Sequence, residues 1–565
     1  MKVRDLEWWI VGIVGFIAFT LSIKGFNILF TEAGVERNYI DLAFQAIKTF
    51  GMEFTDGFKS PLPWQLEVSR WLSPAVMLYI AGKTILFLIR REFKSSLIKF
   101  KKNHIIITAL NQKSRHLITD LLANGETVVV VAAIEDPRKL DIVEKEGAII
   151  VEGDILSDKF LKNIAAHKAK YMVFIENDDE KNISTAISVY NFIVKCEKNK
   201  KQTLYTHVGD DLKLNELKEL NFFEELTEQN KLNLNCEIRI FSAHERASRI
   251  LFLKYSPDVF TKINSPKDQQ INIAIIGSKT LAQSMIIRFA RLGHYANLKK
   301  MKITLFHDGK DIASKLERNF KNINDLIELE TINEDLELFD ADKFETIHKN
   351  HPFTSTYILC EDDSLSSAIL NKLTKVETEK ELDVILTLIN PDGILSKRYI
   401  ASKIDSINLH KFNIIEESFT QDALISEKLD ELAKIIHNDY LSGLKTLNPD
   451  KSSHKPWKLL ALDFKNQNRE QADHIFVKLR ALGYGAENYS EIIFTDEQVE
   501  LLSEMEHNRW WANMALSGWK NGAKRDDKKK IHTDLIPYEQ LPEETKQYDR
   551  DAVLNIPKLL EKMER

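Results

Sequence analysis

Six residues near the C-terminus have the types that hold a flat, charged ligand. Arg509, Trp510, Trp519, Lys524, Arg525 and Tyr538 set aromatic faces beside cations. An indole face stacks a base, and a guanidinium takes a phosphate through paired N–H donors. Tryptophan also supplies much of the buried area of a small domain, so Trp510 or Trp511 is expected in a core. Trp519 and Arg525 are the expected ligand contacts. His474, His507 and His532 lack metal-site spacing, and Lys528–Lys530 beside Asp526 and Asp527 reads as a solvated loop. No GxSxG, HExxH, Walker A or paired CxxC motif occurs, so neither an enzyme nor a metal site is expected.

The element that must position these side chains is a helix. Thr495-x-x-Gln498 is the pattern of a capping box. Leu501, Met505, Ala512 and Leu516 then form one apolar stripe, and Gly518 is placed to end the helix. Residues 430–565 as a whole read as mainly helical.

A second group of candidates follows short apolar runs. The buried strand His104–Thr108 leads to a turn carrying Ala109, Asn111 and Ser114, then a helix to Ala123. Further strands are expected at Thr127–Ile134, Ala148–Val151, Tyr171–Ile175 and Leu204–Val208, alternating with helices. That alternation predicts a parallel, doubly wound sheet. Glu135, Asp154 and Asn177 fall at or just after strand ends, where such a sheet binds ligands. A second unit starts at Ile271–Gly277, with strands at Met301–Phe306, Ser355–Leu359, Val384–Ile389 and near Ile407–Ile415. Its turn offers Gly277, Lys279 and Ala282. Lys279 has two readings, a phosphate contact or a solvated lysine.

The ordered set Glu135, Gly153-Asp154 and Asn177-Asp178 resembles the RCK (KTN) domain, over residues 103–262. Residues 270–420 resemble a second, more diverged copy. The resemblance implies a cytosolic nucleotide- or ion-sensing module of potassium channels and transporters, with Asn111, Ser114, Glu135, Asp154 and Asn177 at its ligand. The family's GxGxxG glycines are replaced in the first turn, so side chains intrude where a dinucleotide's phosphates would lie. Two readings follow: a fold that keeps its shape without NAD, or a smaller ligand such as a single nucleotide. The stretch Glu504–Gly522, with Arg525–His532, Leu535–Pro542 and Tyr548–Arg550, strongly resembles the RyR repeat named for the ryanodine receptor. Trp457 and Asn468–Arg480 match its N-terminal extension in prokaryotic copies. This resemblance implies a sensor of nucleotide-derived signals.

The N-terminal residues 1–102 are of another kind. Trp8–Phe30 and Trp71–Ile89 are apolar runs, each with a single lysine (Lys24, Lys83), and each about long enough to span ~30 Å of hydrocarbon. A second span and no clear cleavage site argue against a signal peptide. Arg90, Arg91, Lys94, Lys99, Lys101 and Lys102 follow the second run. Positive charge therefore places both termini and the large domains on the cytosolic side. Between the spans, Tyr39–Phe50 has helical spacing and leads to Thr49, Phe50, Gly51, Met52 and Glu53. The arrangement resembles the pore helix and filter of a two-span channel. Only Thr49 and Gly51 agree with the potassium filter TVGYG, while Glu53 would form an acidic ring favouring cations. The other reading is an outside loop with a helix lying on the bilayer. Gly82 offers a gating hinge or a close helix contact, and Lys83 lies within snorkelling reach of the interface.

The chain has 565 residues, 44% hydrophobic and 29% charged, which fits several ordinary globular domains. A net charge of −6 argues against a nucleic-acid partner. Cys196, Cys236 and Cys360 form no disulfide framework, as suits a reducing compartment. The expectation is a homotetrameric, ligand-gated cation channel in a bacterial plasma membrane, its partners being the bilayer, inorganic cations and a nucleotide-type molecule. A stress or phage-defence role follows from the RyR resemblance. The alternatives are a membrane-anchored nucleotide sensor without a pore and, less in keeping with the missing glycines, an NAD-linked oxidoreductase.

Overall fold

The structure is a computed structural model. It describes residues 3–54, 61–132, 137–196, 202–209, 236–309, 312–398, 403–404, 406–448, 450–485 and 492–564. The chain divides into two compact units, Met1–Phe100 and Lys101–Arg565. Helices of eight or more residues are numbered here in chain order.

The first unit is three helices: α1 (Val3–Glu32), α2 (Tyr39–Phe50) and α3 (Trp64–Leu97). The Asn38 side chain accepts from the Asp41 N–H at 2.8 Å and so starts α2. Leu42 and Ala46 of α2 are buried, and Leu42 packs with Phe26, Leu29 and Leu66. One described helix, over Trp8–Glu32, is long and apolar enough to cross a membrane, with mean hydropathy 1.8. The expected second span is helical throughout as part of α3, and its side chains from residue 86 onward lie outside the described residues.

Close approach of α1 to α3 falls at Gly25, not at Gly82. A Cβ on Gly25 would lie 2.5 Å from Leu66 Cγ and 2.9 Å from the Leu66 backbone nitrogen, whereas one on Gly82 would meet nothing within 4 Å. Gly25→Leu is therefore expected to force the helices apart at a cost of about 1–3 kcal/mol. The check is the thermal midpoint of the detergent-solubilised protein, with Gly82→Leu as the near-neutral control.

In the second unit, six parallel strands form a sheet in the order β3-β2-β1-β4-β5-β6. They are β1 (Ile105–Thr108), β2 (Val128–Val131), β3 (Ile149–Val151), β4 (Tyr171–Phe174), β5 (Gln202–His207) and β6 (Cys236–Phe241). Ile105–Ile107 and Val128–Val131 are buried at every position, as a sheet covered on both faces requires. Helices α4 (Gln112–Ala123), α5 (Pro137–Glu146) and α6 (Asp179–Lys195) alternate with its strands, and α7 (Ala243–Tyr255) follows β6.

A seven-stranded sheet follows, ordered β12-β13-β11-β10-β7-β8-β9 and parallel except at β12. Its strands are β7 (Asn272–Ile276), β8 (Met301–His307), β9 (Ile327–Asn333), β10 (Ser355–Ile358), β11 (Leu382–Leu388), β12 (Lys403–Ile404) and β13 (Ile407–Asn413). Helices α8 (Thr280–Leu292), α9 (Ile312–Asn319), α10 (Ala341–Asn350) and α11 (Asp363–Leu373) lie between them in sequence. The two Rossmann-like units exchange material. Helix α7, which ends the first, packs through Leu251 and Phe252 into the core of the second. Ile415, Phe419 and Leu424, which follow β13, pack into the core of the first.

The last part contains α12 (Glu431–Gly443), α13 (Leu462–Ala481), α14 (Asp496–Leu516), α15 (Glu543–Leu554) and α16 (Ile556–Glu564), with a short pair β14 (Lys520–Asn521) and β15 (Ile531–His532). Leu502, Met505 and Ala512 of α14 share one core with Met285 and Phe289 of α8. Ion pairs bind the same parts together. Arg249 of α7 donates to Asp473 of α13 at 2.7 and 2.8 Å and to Asp430 at 2.5 Å, and all three side chains are buried. Arg469 Nε also donates to both oxygens of Asp430 at 2.9 Å, and against the opposing effect of burial the two guanidiniums hold that carboxyl well below its usual range.

Candidate functional site

Three places bear on ligand binding: the turn after β1, the turn after β7, and the end of α14.

After β1, Ala109 stands at φ +68°, the left-handed region that a glycine usually fills. The Asn111 side chain accepts from the Ser114 N–H at 3.0 Å, and Ser114 Oγ accepts from the Asn111 N–H at 2.8 Å. Asn111 Nδ2 also donates to the Ile175 carbonyl at 2.7 Å, which ties the turn to the end of β4. These donors at the start of α4 are thus satisfied by the chain itself, and the turn does not fit a dinucleotide's phosphates. Asp154 and Asn177 are exposed, and Asp154 accepts from the Leu156 N–H at 2.9 Å. Glu135 lies outside the described residues.

After β7, Gly277 has φ +155°, and a Cβ there would lie 2.4 Å from the Leu359 carbonyl oxygen. The N-terminus of α8 already faces an anion. Glu361 accepts from the Leu281 N–H at 2.7 Å and pairs with His244 at 3.2 Å. Lys279 precedes the helix and makes no capping bond. A carboxylate therefore occupies the place where this fold would put a phosphate.

The third place is built by the end of α14. Thr495 and Gln498 close the capping box at its start. It ends at Leu516 with Ser517 as its cap, and Gly518 turns the chain at φ +84°. Lys530 Nζ fixes the turn by donating to the Ser517 carbonyl at 2.9 Å. Pairing of β14 with β15 then brings His532 to the tryptophans. Its ring lies 5.1 Å from that of Trp510 at 75° and 6.2 Å from that of Trp519 at 63°. Arg525 Nη1 lies 3.3 Å from His532 Nε2, and Arg525 Nε donates to Asp527 at 2.7 Å. Burial holds the His532 pKa below its ordinary value, which keeps the ring neutral at neutral pH.

Of the six expected residues, the structure brings Trp510, Trp519 and Arg525 together, around a histidine. Lys524 is exposed on the same loop. Arg509 and Tyr538 face elsewhere. Arg509 is 4% exposed and turned into the core, where it donates to Glu506 at 2.6 Å. Tyr538 is 6% exposed and donates to Glu500 at 3.1 Å. Both hold the module together. Trp511 packs against the core shared with α8, as one of the tryptophan pair was expected to do. His532 is the member that reading for metal spacing set aside.

The expected filter residues lie in the first unit. Thr49 is buried in the last turn of α2, where its hydroxyl donates to the Ala46 carbonyl at 2.7 Å and meets Ser22 Oγ at 3.2 Å. Phe50 closes the helix, Gly51 caps it, and Met52 turns back at φ +64°. Glu53 is exposed and lies 3.7 Å from Lys48. Gly51 and Met52 form a turn, Glu53 and Phe54 follow it without regular structure, and residues 55–60 lie outside the described residues.

No curated protein matches the chain. The solved structures it resembles include GsuK bound to ADP (12% identity, TM-score 0.36, covering 76% of this chain and 100% of that one). They also include the GsuK channel (13%, 0.37, 76% and 100%) and the GsuK channel bound to NAD (11%, 0.36, 75% and 85%). Two family models match, a TrkA-N domain over residues 105–215 and a RyR domain over residues 493–564.

Proposed function

We propose that the chain is the subunit of a ligand-gated cation channel of the potassium-channel type, working as a homotetramer in a bacterial plasma membrane. The observation that carries this reading is the order of parts in one chain. Two long helices flank an N-capped half-length helix. A basic segment follows, then a sheet matching the TrkA-N domain, a second parallel sheet, and a match to the RyR domain. A nucleotide-type ligand acts at the C-terminal module, its ring on an indole and its anionic group on Arg525. Tighter binding to one state than to the other shifts the closed–open equilibrium. The chain transmits that shift through residues 90–102 to α3, and Gly82, with open space around it, is the place where α3 can bend. Glu53 and the carbonyls around Gly51 line the ion path of the tetramer, and the bacterial role is a stress or phage-defence effector opened by a nucleotide messenger.

A second reading, a membrane-anchored nucleotide sensor without its own pore, draws on the bonded state of Thr49 and the Lys48–Glu53 pair within one chain.

Potassium and sodium flux into liposomes carrying the purified protein separates the two. A panel of nucleotides is expected to raise potassium flux about tenfold or more, since a shift of a few kcal/mol in a two-state equilibrium has that size. Arg525→Ala is expected to remove the ligand dependence, and Glu53→Ala to change the potassium-to-sodium ratio. No flux under any condition, with nucleotide still bound, sinks the channel and leaves the anchored sensor.

A further inference from the structure

His532 carries an unmet hydrogen bond. Nδ1 faces the Asp534 backbone N–H at 3.2 Å, and Nε2 faces Arg525 Nη1 at 3.3 Å. Both neighbours are donors. A neutral imidazole has one acceptor nitrogen and one N–H, and a guanidinium has donors only. The Asp534 amide is backbone and fixed, whereas the exposed Arg525 guanidinium can turn, so the imidazole hydrogen is assigned to Nε2, where it points at another N–H. Moving it to Nδ1 sets it against the amide instead, and the Asp534 carboxylate, 3.9 Å away, is beyond hydrogen-bond range. Protonating both nitrogens makes both contacts worse.

The mismatch sits at a defined place. His532 is 9% exposed, with its ring set at steep angles to two indoles that cover much of it. Arg525 spends its Nε on Asp527 and turns Nη1 toward the ring. Two N–H groups therefore converge beside two tryptophans, and among the described residues no protein acceptor is found between them. A buried donor without an acceptor is costly, and an acceptor carrying negative charge recovers most of that cost.

We propose that His532 Nε2–H and Arg525 Nη1–H share one oxygen of a phosphate-type oxyanion, which makes His532 a binding residue of the ligand site. The inference rests on the ligand reading of the C-terminal module given above, and adds the chemistry of the group bound and the second donor. Trp510 and Trp519 hold the imidazole so that its N–H stays aimed at that oxygen.

The test is calorimetric titration of the full chain in detergent with AMP, adenosine and inorganic pyrophosphate. Wild type, His532→Phe, His532→Gln and Arg525→Gln are compared. Wild type is expected to bind AMP at least tenfold more tightly than adenosine, and to bind pyrophosphate. His532→Phe keeps the ring and loses the donor, and Arg525→Gln loses the charge, so each is expected to abolish the preference for AMP. His532→Gln, which keeps an N–H, is expected to retain part of it. If His532→Phe lowers the thermal midpoint, the exposed Arg525 variant and the His532→Gln rescue decide the matter. Equal affinity for AMP and adenosine, a preference that survives both Phe and Arg525 variants, or no binding of any of the three overturns the proposal. Flux has no part in this measurement. A protein that prefers AMP and conducts no ions sinks the channel and leaves the oxyanion site standing.

Discussion

Glu506→Leu is expected to lower the thermal midpoint of the second unit sharply and to open α13 and α14 to protease, a loss of about 3–5 kcal/mol. Glu506 lies on α14 and is 5% exposed. It accepts from Lys478 Nζ at 2.6 Å and from Arg509 Nη2 at 2.6 Å, and both cations are as buried as the carboxylate. Lys478 also donates to His474 Nδ1 at 2.9 Å, and His474 Nε2 then donates to the His294 carbonyl at 2.9 Å, which carries the network back to the end of α8. Removing the one carboxylate in contact with both cations leaves two charges in a dry interior. Removing all three charges leaves none, so Lys478→Met with Glu506→Met and Arg509→Leu is expected to recover most of the loss. Acid acts on the same group. Burial raises the Glu506 pKa, Arg509 and Lys478 lower it, and the two cations win, taking it down to about 2 from an ordinary 4.5. A carboxylate with a depressed folded pKa lends stability above its unfolded value and loses it as pH falls through the folded one. The wild-type midpoint should therefore fall between pH 4.5 and about 2, and the triple variant should lose this share of the fall. A single variant with the wild-type midpoint sinks the argument.

What was legible in the sequence was local. Ile105–Ile107 and Val128–Val131 announce a sheet buried on both faces because every position is apolar and β-branched. Thr495 and Gln498 announce a helix start because the capping box spans only four residues. Strands β6 and β9 were passed over. The two middle residues of β6 are Ile238 and Arg239, and β9 is an edge strand whose residues are largely exposed, so neither gives an unbroken apolar run. Arg509 was read with its neighbour Trp510, yet adjacent residues on a helix point about 100° apart, and Arg509 turns to Glu506 three positions back. His532 was missed because β14–β15 pairing, not local sequence, carries it to Trp510. Glu361 was beyond reach for the same reason, since the Leu281 amide it accepts from is 80 residues away in sequence.

Gly277→Ala is expected to cost roughly 3 kcal/mol or more, the sum of a strained backbone and a forced contact. Two independent facts require glycine there. Its φ of +155° is one that L side chains rarely adopt, and its missing Cβ leaves room for the backbone at Leu359, whose carbonyl oxygen would otherwise lie at 2.4 Å and carbon at 2.8 Å. Backbone in the middle of a parallel sheet cannot step aside as the tip of a side chain can. Leu359 N–H donates to the Ile276 carbonyl at 2.8 Å, and Gly277 N–H donates to the Phe306 carbonyl at 3.0 Å, so the contact sits among ladder bonds of β7, β8 and β10. The consequence reaches the join of the two Rossmann-like units. Leu359 is two residues before Glu361, and displacing it draws that carboxylate from the Leu281 amide and from His244 of α7. His244→Ala removes the second of these bonds, together with the contact of its Nδ1 to the Gly209 carbonyl at 3.2 Å, and leaves the turn after β7 intact. The thermal midpoint of Gly277→Ala should therefore fall well below that of His244→Ala, with faster proteolysis between the two sheets. Equal midpoints for the two variants would place the stability of this join in the Glu361–His244 pair and not in the turn that aims it.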